Sequence, residues 1–172
     1  MSDEEIDLWS PEINLWSLEK ILGRPVLGKI LVLPMSSAIQ FKCDKEWACI
    51  SIFGSEVSVP PKIDDGCKNV LRLKFDDIEF KRPDSNLLEF SDFQAIEVLN
   101  FSKDMWNQID LMMIHCAAGI SRSTAVAKVI SEIYQPEFSQ YYSQFYSPNN
   151  LVYGILQRNR KNFKEYGEEN GR

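Results

Sequence analysis

A cysteine and an arginine separated by five small or apolar residues carry the clearest chemistry in this chain. Cys116 is followed by Ala117, Ala118, Gly119, Ile120 and Ser121, then by Arg122 and Ser123. A run of small residues lets main-chain N–H groups converge on one point, where they cradle an oxyanion. Arg122 adds a planar guanidinium that can grip two phosphate oxygens at once. A cysteine in such a field is held as the thiolate, its pKa drawn into roughly the 3.5–7.5 range. One stretch therefore combines a nucleophile with an anion site, which is the equipment for attack on the phosphorus of a phosphate ester.

Two elements must hold that stretch in place. Leu111 to Ile114 is a continuous apolar run, the pattern of a strand buried on both faces. From Ser123 onward, Val126, Val129, Ile130 and Ile133 recur at helical spacing. The small-residue loop thus joins a strand to a helix N-terminus, whose unpaired N–H groups and partial positive charge also favour an anion.

The order His115-Cys116, five residues, Arg122-Ser123 resembles the signature H-C-x-x-x-x-x-R-S/T of the cysteine-dependent protein phosphatases. The version HCAAGISRS is most similar to their compact dual-specificity branch. The resemblance implies a single α/β domain with a central, mostly parallel sheet flanked by helices. It implies a phosphocysteine intermediate on Cys116, with phosphate held by the backbone of Ala117, Ala118, Gly119, Ile120 and Ser121 and by Arg122. Ser123 would stabilise the cysteine as it leaves, and His115 would orient the loop. No metal and no cofactor are implied.

That family takes its general acid from an aspartate on a loop after an earlier strand. Asp76 and Asp77 end the strand-like run LRLKF, and Asp84 stands in Arg82-Pro83-Asp84, which is similar to the Trp-Pro-Asp of the larger tyrosine phosphatases. Asp77 is favoured, because a strand followed by x-Asp-Asp matches the compact branch; Asp84 and Asp76 stay open as alternatives. The loop between Cys116 and Arg122 lacks the basic residues carried by relatives that act on inositol lipids. The chain is too short for the insertions that build a deep tyrosine-selective cleft. The resemblance therefore points to a phosphorylated protein as substrate, with phosphotyrosine and also phosphoserine or phosphothreonine admissible. Three other readings compete: a module that binds phosphoproteins without turning them over, an enzyme acting on another phosphate ester (an inositol lipid or RNA), and a sulfur-transfer enzyme of the rhodanese kind.

Composition agrees with this picture. The chain has 172 residues, enough for one domain with a sizeable core. A net charge of −6 and a pI near 4.9 argue against a nucleic-acid or membrane-binding surface. The N-terminus is acidic and no run of eighteen apolar residues occurs, so a cytoplasmic monomer is expected. Cys43, Cys49 and Cys67 lack paired zinc spacing, and one histidine cannot complete a zinc site. They read as reduced cysteines, with Cys49 the one expected to pair with Cys116 if a protective disulfide forms.

Along the chain, residues 1–24 form an N-terminal segment in which Ser10-Pro11 starts a helix that packs its tryptophans on the domain. Residues 25–166 are the catalytic domain, and 167–172 a flexible tail. Strands are expected over Gly28–Leu33, Trp47–Phe53 and Val70–Phe75, the last with Leu71, Leu73 and Phe75 inward. Asp76–Glu89 reads as a loop, with Asp76 and Asp84 exposed. A helix is expected over Phe90–Met105, where Phe90, Phe93, Ile96 and Leu99 recur at steps of three. The aromatic stretch Tyr134–Ser147 reads as core, and a final helix follows Pro148.

Overall fold

The computed structural model describes residues 26, 28–80 and 85–168, the last helix by its backbone alone beyond position 161. The expected N-terminal helix and Asp84 lie outside the described residues. Four strands run in the order of the chain: β1 (Ile30–Pro34), β2 (Trp47–Phe53), β3 (Asn69–Lys74) and β4 (Leu111–Cys116). A one-turn helix α1 (Met35–Ala38) follows β1 directly. The longer helices are α2 (Asp92–Met105), α3 (Arg122–Tyr134) and α5 (Asn150–Glu168), with the short α4 (Tyr141–Phe145) between the last two. Helix α5 extends two residues into the stretch expected to be a tail.

The strands form one sheet in the order β1-β4-β2-β3, and every neighbouring pair is parallel. Both inner strands, WACISIF and LMMIHC, are buried along their whole length. An all-parallel sheet requires this, since both of its faces are covered. On the edge, β3 buries Leu73 and exposes Arg72 and Lys74, as its alternation predicts. One face carries Ile50, Ile114 and Cys116 and packs on α2, α3 and α5. The other carries Leu31, Trp47, Cys49 and Met113 and is closed by Ala38 and Phe41.

The helix expected after residue 90 is present, and its inward stripe is not the three-step apolar series. Phe90 precedes the helix, which starts at Asp92 behind a capping box made by Ser91 and Gln94. Phe93 and Ile96 are 71% and 43% exposed, whereas Ala95, Val98, Leu99, Ser102 and Met105 are buried. The reason is geometric. Steps of three fall short of a 3.6-residue turn, so a strict three-step series winds off the buried face. Leu99 belongs to both series and is buried, as is Phe90 ahead of the helix.

Because all four strands are parallel, their carboxyl ends share one edge, the usual place for a ligand crevice in such sheets. Pro34 and Cys116 are register partners at that edge.

Candidate active site

The 117–121 loop is shaped by contact with β1. Gly119 has a φ of +68°, and a side chain there would come within 2.7 Å of the Leu33 and Pro34 backbone. Only glycine combines that conformation with that approach. The Met35 N–H also donates to the Ala117 carbonyl at 3.1 Å. The loop is thus pressed onto the end of β1, while Ala117, Ala118 and Ile120 face outward.

Cys116 is 2% exposed at the end of β4. Burial by itself would raise its pKa. The Ser123 hydroxyl, the N–H groups of Ser123 and Gly119, and the Arg122 charge outweigh burial and hold the thiol below its ordinary value. Sγ lies 3.1 Å from the Ser123 hydroxyl. Ser121 occupies the N-cap position of α3 but makes no side-chain cap. Its hydroxyl donates instead to Asp77 Oδ1 at 2.7 Å.

Arg122 is 5% exposed, and one terminal nitrogen donates to the Phe75 carbonyl at 2.8 Å. Its Nε has no hydrogen-bond partner among the described residues and lies 4.0 Å from Asp77 Oδ2, ion-pair distance but too far for a hydrogen bond. A buried guanidinium N–H with an unspent donor fits an oxyanion ligand at the cradle.

The two neighbouring aspartates have different surroundings. Asp76 is buried at 7% exposure, contrary to the exposed loop position expected for it. Burial pushes its pKa up. The Ser55 N–H at 2.7 Å, the Leu88 N–H at 2.7 Å and the Ser55 hydroxyl at 2.9 Å reverse this, and the carboxyl sits below its usual range. Asp76 is exposed in no useful sense because it fastens the loops after β2 and β3 together. Asp77 points the other way, with a side chain 42% exposed, toward Ser121 and Arg122. The structure therefore brings Asp77 to Cys116's loop and gives Asp76 a separate, structural set of bonds.

His115 faces the opposite side of the sheet from Cys116. Its Nε2 lies 2.7 Å from the Ser51 hydroxyl, and Ser51 is its register partner on β2. Burial lowers its pKa to about 4, a backbone contact at Cys116 opposing and the Arg122 charge adding to the fall. It is a neutral, fixed ring at ordinary pH. Cys49 lies on that same far face, opposite Met113. This alternation rules out Cys49 as the partner in any protective disulfide with Cys116, since a disulfide needs Cβ atoms about 4 Å apart on one side. Burial also raises the Cys49 pKa. All four cysteines are free.

Sequence reasoning missed Asn149, which is fully buried. Its amide donates to Asp77 Oδ1 at 2.8 Å and to the Ile78 carbonyl at 3.1 Å. Its N–H reaches the Ser121 carbonyl at 3.1 Å, and its side-chain oxygen accepts from Val152 N–H at 3.0 Å. One side chain thus joins the Asp77 loop, the cradle and α5. An asparagine just before a helix signals a cap; nothing local in the sequence signals the other bonds.

Among the described residues no group of three or more potential ligands could hold a metal ion, and no helix is long and apolar enough to cross a membrane. No family model and no curated protein matches the sequence. Solved structures match in fold. A human tyrosine phosphatase-like serine/threonine/tyrosine-interacting protein superposes with a TM-score of 0.58 and 17% identity, over 78% of this chain and 92% of its own. A point variant of human DUSP28 gives 0.56 and 12%, over 83% and 99%. PTPMT1 in complex with PI(5)P gives 0.51 and 13%, over 81% and 94%.

Proposed function

We propose that this chain, whose fold is that of the cysteine-dependent dual-specificity phosphatases, hydrolyses phosphorylated proteins through a covalent phosphocysteine. Phosphotyrosine is the principal substrate, with phosphoserine and phosphothreonine also admitted. One observation carries the reading: the Cys116 sulfur meets the N–H groups of Gly119 and Ser123 and the Ser123 hydroxyl, beside the buried Arg122.

The steps follow from those groups. The Cys116 thiolate attacks phosphorus and the P–O bond to the substrate breaks. Asp77 delivers a proton to the departing oxygen, while the loop N–H groups and Arg122 hold the non-bridging oxygens. Asp77, now ionised, takes a proton from water as that water attacks the phosphocysteine. The S–P bond breaks, Ser123 donates its hydroxyl hydrogen bond to the returning thiolate, and phosphate leaves. His115 acts at one remove, by fixing the end of β4 through Ser51. The chemistry asks for no cofactor and suits a monomer in a reducing, cytoplasmic setting that keeps Cys116 as the thiol.

Hydrolysis of a chromogenic aryl phosphate in the presence of a chelator tests the reading. Turnover in the parent and its loss in Cys116→Ser are expected; turnover within tenfold of the parent in that variant would end the covalent mechanism. A second reading, a phosphoprotein-binding module without turnover, draws support from the human neighbour described as a phosphatase-like interacting protein. Cys116, Ser123 and Asp77 in one site speak for turnover.

A further inference from the structure

The two faces of the sheet are covered unequally. One packs on α2, α3 and α5. Among the described residues, the cluster on the other face takes no residue from those helices; Ala38 of α1 and the loop residues Phe41 and Ile63 close it. An all-parallel sheet is ordinarily covered by helices on both faces. A hollow of about 510 Å³ is built from the same thin cover. Met35 and Ile39, on either side of Ala38, line it, as do Lys62 and Asp64, on either side of Ile63. Val57, Val59 and Pro61 complete the lining, and Lys62 and Asp64 are its two ionised members, of opposite sign. Ile39 and Val59 are 48% and 75% exposed. The volume falls in the range of sites that take a drug-sized ligand, roughly 300–1,000 Å³.

The chain itself carries an occupant of matching chemistry. Val26, the first described residue, is buried and belongs to the cluster on the thinly covered face. Residues 1–25 therefore join the domain on that face, opposite α2 with its exposed Phe93 and Ile96. Eight of the fifteen residues 8–22 are Leu, Ile or Trp, with Trp9 and Trp16 among them. Their reach suffices. The five residues of β1 span about 17 Å, and Met35 follows directly. Ten residues, the separation of Trp16 from Val26, cover up to roughly 33 Å when extended. Seventeen, the separation of Trp9, cover about 25 Å even as a helix.

We propose that residues 8–22 dock in this hollow as an intramolecular strap, seating Trp9 or Trp16 between α1 and the loop after β2. A tethered segment meets its site at an effective concentration on the order of millimolar, ahead of a second copy or a free ligand arriving from solution. The strap gives the thin face the apolar cover that the other face receives from three helices. Because the Met35 N–H holds the Ala117 carbonyl at 3.1 Å, a strap packed on Met35 also braces the start of the 117–121 loop.

The test is fluorine NMR of the full chain carrying 5-fluorotryptophan, with Trp9→Phe and Trp16→Phe assigning the two segment resonances among the four tryptophans. In the parent at least one of them is expected to be shielded from solvent. Ile39→Asp/Val59→Asp, at two exposed positions, should return it to the solvent-exposed position while the resonances of buried Trp47 and of Trp106 stay in place. Both segment tryptophans exposed in the parent, or no response to the hollow variant, would overturn the proposal. Shielding that appears only as protein concentration rises would also overturn it, since the occupant would then be a second copy. Should Trp47 move as well, the variant has lost its fold, and the converse variant decides. Trp9→Ser/Trp16→Ser alters no described residue and should shift the methyl resonance of Met35 but not that of Met112, buried on the opposite face. An unmoved Met35 would overturn the strap. None of these readouts depends on turnover.

Discussion

Asn149 donates its side-chain amide to Asp77 Oδ1 at 2.8 Å across a sequence separation of 72. The same carboxylate oxygen accepts from Ser121 on the cradle. The position of the proposed acid is therefore set from outside its own loop.

Asn149→Ser should keep a cap for Val152 N–H but lose the reach to Asp77. Turnover of a phosphotyrosine peptide should fall on the order of 10- to 100-fold, as misplacement of a reacting group does. An activated aryl phosphate should suffer far less. Uniform loss on both substrates, tracking a lower melting temperature, would reduce Asn149 to a packing residue.

The adjacent aspartates should separate cleanly. Asp77→Asn should slow peptide turnover by roughly 10²–10⁴, with a smaller loss on substrates whose leaving group needs no proton. The basic limb of its pH profile should flatten. Asp76→Asn removes a buried carboxylate that accepts three hydrogen bonds, so it should destabilise the fold by on the order of 2 kcal/mol. Because the folded-state pKa of Asp76 is lowered, its contribution is present at neutral pH and is lost as pH falls through that lowered value. Denaturant titrations at pH 7 and kinetics on two leaving groups check both. A leaving-group-dependent defect in Asp76→Asn would reverse the roles.

Cys116 should be the first cysteine alkylated by iodoacetate, at a pH well below that needed for an ordinary thiol, with phosphate or vanadate protecting it. Ser123→Ala removes the first of the groups that lower its pKa and should move the alkylation profile to higher pH. Mass spectrometry showing Cys43 or Cys67 labelled ahead of Cys116 at pH 6 would contradict this.

His115 gives a stability signature. Its folded pKa of about 4 lies below the ordinary 6.5, so the unfolded chain binds the extra proton between those values. Stability should be complete above roughly pH 6.5 and decline as pH falls toward 4. His115→Gln should flatten that slope in urea titrations at pH 7 and pH 5. An unchanged slope would mean that the ring is protonated in place.

What the sequence revealed, and what it hid, follows from range. Cys116, Arg122 and Ser123 lie within eight positions, and their spacing alone brings them together. The runs at Trp47–Phe53 and Leu111–Ile114 are so continuously apolar that burial on both faces was legible. Asp77 could be ranked above Asp76 only by resemblance, because the bonds that divide them come from Ser55, Leu88, Ser121 and Asn149. Cys49 was legible as a reduced cysteine on a buried strand, but not as one turned away from Cys116, because a strand position says little about which face a neighbouring strand's cysteine occupies. The helix at Asp92–Met105 was legible from its apolar spacing, but the face it buries was not, because a three-step series imitates a buried stripe for one turn and then leaves it.

The strand order has a consequence for synthesis. Of the described strands β1 is made first, yet its one partner among them is β4, and β2 also waits for β4 on one side. A ribosome-bound chain must carry the apolar segment ILVLP unpaired until residues 111–116 have emerged. Such late closure of distant pairs is slow and leaves a sticky strand in the open. The 117–121 loop, pressed against Leu33 and Pro34, takes its shape only after that pairing, so a nascent chain stopped short of residue 121 has the strand β1 but nothing for its end to shape.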